Sequence, residues 1–394
     1  MTHNSGFTGR ALARLFLAVL ALFLGTSTLS AQSILYPQFT AGGITTLQTN
    51  GSPAIAGDNT NLYIAYSDAT NSGYLAYGYS TDGVSFALTR TSIFMNSDPA
   101  IAVDQYSSGK TVYIAFEGTS QDILLYGWTS GSLSLINDFT PGPVPYALRP
   151  ALAVSPDPTI PSNDDIYLAW QGRVYDPSTG TYDGQWIDLA YSKYSGRPFT
   201  FSPSGNSTTA VTKAYVAGSA PALTILEGIV YLTYLDSATN YAHLFLASQG
   251  STSFSESSGS SGMVAGANYG GDPTLNGQGG YVFAGFRSYY SENNLWVVGI
   301  VDNSGLFGPN TNYNEAPTAG PGNITLTNDP SFGFVGYNYG TGTLYEAART
   351  NFPEDGPYVW IYSSPYVNFN PYDEGDGGGD GGDPCNGRFC SQLP

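Results

Sequence analysis

Cysteine is nearly missing from this chain: of 394 residues only 2 are cysteine, Cys385 and Cys390, both at the C-terminal end. No disulfide framework can hold the body of such a protein together, and zinc sites built from thiolates and imidazoles lack ligands. Histidine is equally scarce. Beyond His3 there is only His243, inside an apolar strand pattern, where it reads as a packed or rim residue. A Ser-His-Asp triad would rest on it alone, without a nucleophile-elbow sequence. Charge is thin, at 11% of residues, and lopsided, with a formal net charge of −18. That surface repels phosphate backbones and anionic lipid, which argues against nucleic acid and membrane as partners. Long apolar runs are missing too. The run Leu15 to Leu24 is about half of the ~20 residues a spanning helix needs. Capped helical periodicity is absent, and the glycine-rich runs lie in turns, not between a strand and a helix as a phosphate loop would. Nothing in these patterns asks for a metal or a cofactor.

What is present divides the chain in three. Arg10 and Arg14 precede the short apolar run, and Gly25, Thr26, Ser27, Thr28, Ser30 and Ala31 follow it. This is the order of a secretory signal peptide, predicted over 1–31 and cleaved after Ser30 or Ala31, so the protein is expected to be exported. Residues 32–369 are rich in tyrosine, threonine and glycine, the composition of half-buried strands joined by tight turns, and predict one all-β domain. Residues 370–394 carry Asp373-Glu374-Gly375-Asp376 and more of the same kind, a flexible solvated tail. In an exported protein Cys385 and Cys390 beyond it are predicted to form one small disulfide.

Internal repetition is the strongest signal. Pro53, Pro99, Pro150, Pro221, Pro273 and Pro330 each precede a short apolar strand, at intervals of about 50 residues with one longer gap. Ser52-Pro53-Ala54-Ile55-Ala56 returns as Asp98-Pro99-Ala100-Ile101-Ala102 and as Arg149-Pro150-Ala151-Leu152-Ala153. A second strand follows, apolar at nearly every position: Leu62 to Tyr66, Val112 to Phe116, Ile166 to Trp170, Val230 to Tyr234, Val282 to Phe286 and Leu344 to Ala348. Third strands end in turns that land on an apolar anchor, namely Phe86, Leu135, Phe199, Phe254, Phe307 and Phe369. The last unit lacks a fourth strand, and Ile34 to Leu47 precedes the first unit without one of its own. The economical reading is a six-bladed β-propeller of four-stranded antiparallel blades, with the N-terminal strand closing the last blade.

The turn Ser80-Thr81-Asp82-Gly83-Val84-Ser85-Phe86 resembles the Asp box (BNR repeat) of the sialidase superfamily, one residue shorter and ending in Phe. Across Ile34 to Phe369 the chain is similar to sialidase-like six-bladed propellers. That resemblance implies a ligand face made by the loops between second and third strands and by the residues that lead into each first strand. Those places hold Asp68, Glu117, Gln171, Arg173, Asp236, Arg287 and Arg349, with Asp98, Arg149, Asp272 and Asp329 ahead of the prolines. An Asp before Pro also has a structural use, bonding backbone amides of its turn. The resemblance further implies that Arg149 grips a substrate carboxylate, for which a guanidinium fork is suited, and that Asp176 or Asp183 acts as general acid. Arg173, Arg287 and Arg349 would complete a hydrolase site. Aromatic residues at loop ends, among them Trp170, Trp186 and Tyr289, offer flat faces to sugar rings. Three functions follow as expectations. First is a secreted, monomeric, non-catalytic propeller that binds an extracellular glycan or polymer through Asp68, Glu117, Trp170, Gln171, Trp186, Asp236 and Tyr289. The others are a sialidase-like glycoside hydrolase and a structural module that binds another protein.

Overall fold

The structure, a computed structural model, describes residues 40–104, 110–120, 122–139, 149–155, 165–176, 181–192, 219–239, 241–256, 269–278, 281–288, 295–301, 314–315, 329–336, 341–352 and 356–368. All lie in one compact unit, Tyr36–Pro394. The predicted leader, the tail with Cys385 and Cys390, and Tyr289 fall outside these residues.

Strand β1 (Thr40–Gln48) stands ahead of the repeats. A first sheet follows, from β2 (Ala54–Gly57), β3 (Leu62–Asp68), β4 (Tyr74–Ser80) and β5 (Ala87–Phe94). The second is β6 (Ala100–Val103), β7 (Thr111–Glu117), β8 (Ile123–Thr129) and β9 (Ser132–Phe139). The third has β10 (Ala151–Ser155), β11 (Asp165–Asp176) and β12 (Thr181–Ser192). The fourth is β13 (Ala222–Leu226), β14 (Ile229–Leu235), β15 (Ala242–Ser248) and β16 (Ser255–Glu256). The fifth is β17 (Tyr269–Gln278), β18 (Tyr281–Ser288), β19 (Leu295–Val301) and β20 (Asn314–Glu315). The last sheet orders β1 beside β23 (Gly356–Asn368), then β22 (Thr341–Phe352), then β21 (Ser331–Gly336).

Each sheet runs outward from its proline-led strand, and all neighbours are antiparallel. The sequence places second strands between two sheets, and the burial agrees: every residue of β3 is buried, as are all but the first of β7 and β14. Outer strands face water, so β5 exposes alternate side chains. The core therefore lies between sheets. Tyr63, Ala65 and Tyr77 of the first sheet pack on Ile101, Ile114 and Phe116 of the second. Tyr167, Ala169 and Leu189 of the third pack on Leu223, Leu232 and Phe245 of the fourth. Innermost strands touch in a closed order, β2 to β6, β10, β13, β17, β21 and back to β2.

Two expectations need correction. Four strands in every blade were expected, and five sheets have four. The third has three among the described residues, because the stretch around Phe199 expected to supply its outer strand is not described. In that sheet the hairpin also reaches further than predicted. β11 and β12 pair from Ile166↔Ser192 to Asp176↔Thr181, so the supposed loop carrying Arg173, Asp176, Asp183 and Trp186 is a two-stranded extension. The closing strand is real: β1 pairs with β23 from Thr40↔Ser363 to Gln48↔Tyr358.

Candidate functional site

The antiparallel order puts the residues ahead of the prolines and the ends of the second strands on one face. Six residues precede the prolines: Ser52, Asp98, Arg149, Ala220, Asp272 and Asp329. Several bind the sheet before them. Ser52 Oγ accepts the N–H of Asp329 at 3.1 Å, Asp272 Oδ1 accepts that of Ala220 at 2.8 Å, and the Asp98 carboxylate lies against Gly51. Arg149 differs. A guanidinium accepts nothing, and its buried Nη1 has no hydrogen-bond partner.

A girdle of aromatic side chains lies one step further in. Tyr66, Phe116, Trp170, Tyr234 and Phe286 occupy equivalent register positions on the second strands, all buried, and Ala348 takes that place in the last sheet. Tyr66 Oη and Trp170 Nε1 have no hydrogen-bond partner. Burial, with the charge of Asp68 second, pushes the Tyr66 phenol up to about 12.

The carboxylates expected on this face divide into two kinds. Asp68 and Asp236 are taken up by their own turns. Asp68 Oδ1 accepts the N–H and hydroxyl of Thr70 at 2.9 and 2.6 Å, while Oδ2 meets Arg90 Nε at 2.6 Å. Burial alone would raise its pKa, but the Thr70 and Arg90 hydrogen bonds outweigh burial and hold it low. Asp236 accepts Ala238 N–H at 3.1 Å and Thr239 Oγ1 at 2.7 Å. Glu117 is the other kind. It is buried at the end of β7, and burial pushes its carboxyl up to about 7. Gln171 is buried at the same register in the third sheet. Arg349 Nη1 donates to the carbonyl of Asn50 at 2.7 Å, tying the last sheet to the lead-in of the first.

Only the backbone of the remaining candidates is described. Arg173 pairs with Gln185, Val174 with Asp183, Gly172 with Trp186, and Arg287 with Leu295. His243 is buried, with Nδ1 at 3.0 Å from Glu256 Oε1, and so is held in a side-chain pair. The structure thus brings Asp98, Arg149, Asp272 and Asp329 to one ring, and Glu117, Gln171 and Arg349 to the strand ends around it.

Sequence reasoning missed a second feature, on the opposite face. Trp128 at the end of β8 stands edge-on to Tyr77 and Tyr63, with ring centroids 4.9 and 5.8 Å away, and tilted against Tyr79 at 6.2 Å. Tyr79 is 41% exposed and Trp128 half-buried, so the seam between the first two sheets ends at the surface in an aromatic edge, with Tyr63 and Tyr77 buried beneath it. Polar groups edge it. Lys110 Nζ and Tyr63 Oη both bond Asp58 Oδ2 at 2.7 Å, and Asn61 Nδ2 bonds Thr60 Oγ1 at 3.0 Å. The signal was the run of aromatics closing the third strands, Tyr77, Tyr79 and Trp128, which a reading centred on the other face passed over.

The Ser80–Phe86 turn is built around one carboxylate. Asp82 Oδ1 accepts the N–H groups of Ser85 and Val84 at 2.7 and 2.8 Å and the hydroxyl of Ser80 at 2.7 Å. Those bonds, Ser85 foremost, hold its carboxyl far below the usual range.

No family model matches the chain, and no curated protein is similar enough to count as a relative. Solved structures do match. AofleA of Arthrobotrys oligospora, as an arginine-to-alanine triple mutant, aligns with a TM-score of 0.56 at 9% identity, over 81% of this chain and 84% of its own. The lectin of the fungus Aleuria aurantia, a fucose-recognising six-bladed β-propeller, gives 0.53 at 10% identity over 79% and 95%. The subtype N11 neuraminidase-like protein of A/flat-faced bat/Peru/033/2010 (H18N11) gives 0.51 at 9% over 84% and 94%. Identities this low speak to fold alone, and the fold they agree on is the one the sheets describe: the chain is a β-propeller.

Proposed function

We propose that the protein is an exported, monomeric, six-bladed propeller that binds an extracellular carbohydrate and does no chemistry on it. The observation that carries this reading is the aromatic edge of exposed Tyr79 and half-buried Trp128, held from below by Tyr63 and Tyr77. A sugar ring presents an apolar C–H face to an aromatic wall and hydroxyls to its rim, where Lys110, Asp58 and Asn61 stand. Support comes from the fold, which is shared with a fucose-recognising lectin. The turn held by Asp82 fits an Asp-box propeller, and a three-stranded third sheet with undescribed chain beside it fits six equal blades. A glycan array probed with the exported chain tests the reading, beside Tyr79→Ala. A glycan bound by the wild type and lost in Tyr79→Ala, with unfolding unchanged, supports it. Binding by neither form sinks it.

One observation favours a second reading, a glycoside hydrolase. A carboxyl raised to about 7 by burial, as in Glu117, has the protonation a general acid needs near neutral pH. Arg149, Arg173, Arg287 and Arg349, with Asp176 or Asp183, would then serve the substrate. Turnover of a fluorogenic glycoside panel containing a sialoside, abolished by both Glu117→Gln and Arg149→Ala, would establish it over the binding reading.

A further inference from the structure

A cavity of roughly 50 Å³ lies on the axis of the ring, lined by the innermost strands; among its described lining residues Arg149 alone is charged. Backbone phase decides what else points into it. In β2 the N–H of Asp58 bonds Asn61 across the turn, so Ala54 and Ala56 bond β3 and Ile55 faces away from it, toward the axis. Asp104 and Thr111 set the same phase in β6, which turns Ile101 to the axis. Leu152, Leu223, Leu275 and Phe332 hold the equivalent register in the other sheets.

Two of these six N–H groups are capped. Ile55 donates to Ser331 Oγ at 3.0 Å and Phe332 to Thr274 Oγ1 at 3.2 Å. In both cases the cap is the residue after proline in the preceding sheet. Elsewhere that residue is alanine, at Ala54, Ala100, Ala151 and Ala222, and offers no acceptor. The N–H groups of Ile101, Leu152, Leu223 and Leu275, which line the cavity, thus have no hydroxyl cap from the residue after proline in the preceding sheet. Carbonyls of the same residues open to the same side, so the full charge of Arg149 decides the sign of the site. Its Nη1 is buried without a partner, an arrangement that costs stability until a counter-charge arrives. Asp98 and Asp272 are turned to the backbone of the sheets before them, not into the cavity.

We propose that this axial cavity binds a small monovalent inorganic anion, with Arg149 as counter-charge and the uncapped N–H groups of Leu152, Leu223 and their neighbours as donors. A water-sized particle takes about 10–15 Å³ of such space, so one small ion and a water or two fit, whereas a sugar does not. The site is separate from the aromatic edge at Tyr79 and Trp128 and does not depend on carbohydrate binding.

Thermal unfolding of the full chain in sodium chloride, against sodium gluconate at equal ionic strength and pH, tests this. The midpoint is expected to rise with chloride and saturate as for one site. A crystal soaked in bromide is expected to show an anomalous peak beside Arg149. Arg149→Met should abolish the chloride dependence. Should that variant not fold, Ala151→Ser serves, because it places a hydroxyl where Ser331 and Thr274 have theirs and caps Leu223. It should weaken chloride at least about tenfold while the fold persists. Equal wild-type midpoints in the two salts, chloride dependence unchanged in the variants, or bromide found only at other places would overturn the proposal.

Discussion

At the scale of single residues, the strongest departure from the repeat is Glu346. The other sheets put Ile64, Ile114, Leu168, Leu232 and Ala284 at its register, whereas β22 buries a carboxyl whose Oε1 has no hydrogen-bond partner. Burial pushes that carboxyl up to about 8. Its folded pKa therefore exceeds its unfolded one, so the folded state binds the proton more tightly. The stability this confers is complete below pH ~4.5 and is lost as pH rises through about 8. At about 1.4 kcal/mol per unit of pKa difference the full swing is on the order of 5 kcal/mol. Glu346→Leu, which copies the third and fourth sheets, is expected to unfold later in urea at pH 8.5 and to flatten the pH dependence between 5 and 8. Urea midpoints at several pH values check it, and a variant no more stable at pH 8.5 than the wild type would refute the assignment. No sequence pattern flagged Glu346. It sits in a Leu-Tyr-Glu-Ala-Ala run that passes for an ordinary second strand, and its isolation depends on which sheet faces it.

Strands and their joins tell a different story. The repeating proline, the apolar second strand and the turn after the third are local signals, since each follows from backbone restriction or from burial on two faces, and those elements were legible in the chain. Contacts between elements were not. Asp68 and Asp236 read as ligand groups because charge is scarce, yet both are spent on hydrogen bonds within their own turns. The aromatic edge needs residues from two sheets, Tyr79 and Trp128, that lie far apart in sequence. Equally invisible was the chain of hydroxyl caps from Thr274 to Phe332 and from Ser331 to Ile55, which runs across the joins between the last sheets and back to the first. Removing a cap leaves a buried N–H without an acceptor, which costs roughly 1–3 kcal/mol. Thr274→Val and Ser331→Ala are each expected to lower stability by about that amount, whereas Ser92→Ala on the exposed edge of β5 should leave it within ~0.5 kcal/mol. Denaturant unfolding distinguishes them, and equal midpoints for all three would show that the caps contribute nothing.

For the whole molecule, closure of the ring matters most, and it depends on one strand that belongs to no repeat. β1 supplies the outer edge of the last sheet, and the chain then passes directly to the inner strand of the first. Thr45 Oγ1 donates to the Val359 carbonyl at 2.7 Å, and Thr49 N–H to that of Pro357 at 2.9 Å. Leu47 is buried with Ile55, Tyr66, Val359 and Ile361, so it joins both ends of the ring in a single apolar cluster. Without β1 the edge of β23 would stand open, a template for pairing with another chain, and the last and first sheets would lose their shared core. Leu47→Ala is accordingly expected to cost about 2–3 kcal/mol, the range for a large-to-small change in a packed site. Leu135→Ala on β9, where the side chain is 50% exposed, should cost almost nothing. Deleting residues 32–48 should go further and yield a chain that associates, seen as a concentration-dependent rise in mass by light scattering. If that truncated chain stays monomeric and unfolds like the wild type, β1 is an ornament and the repeats close the ring by themselves.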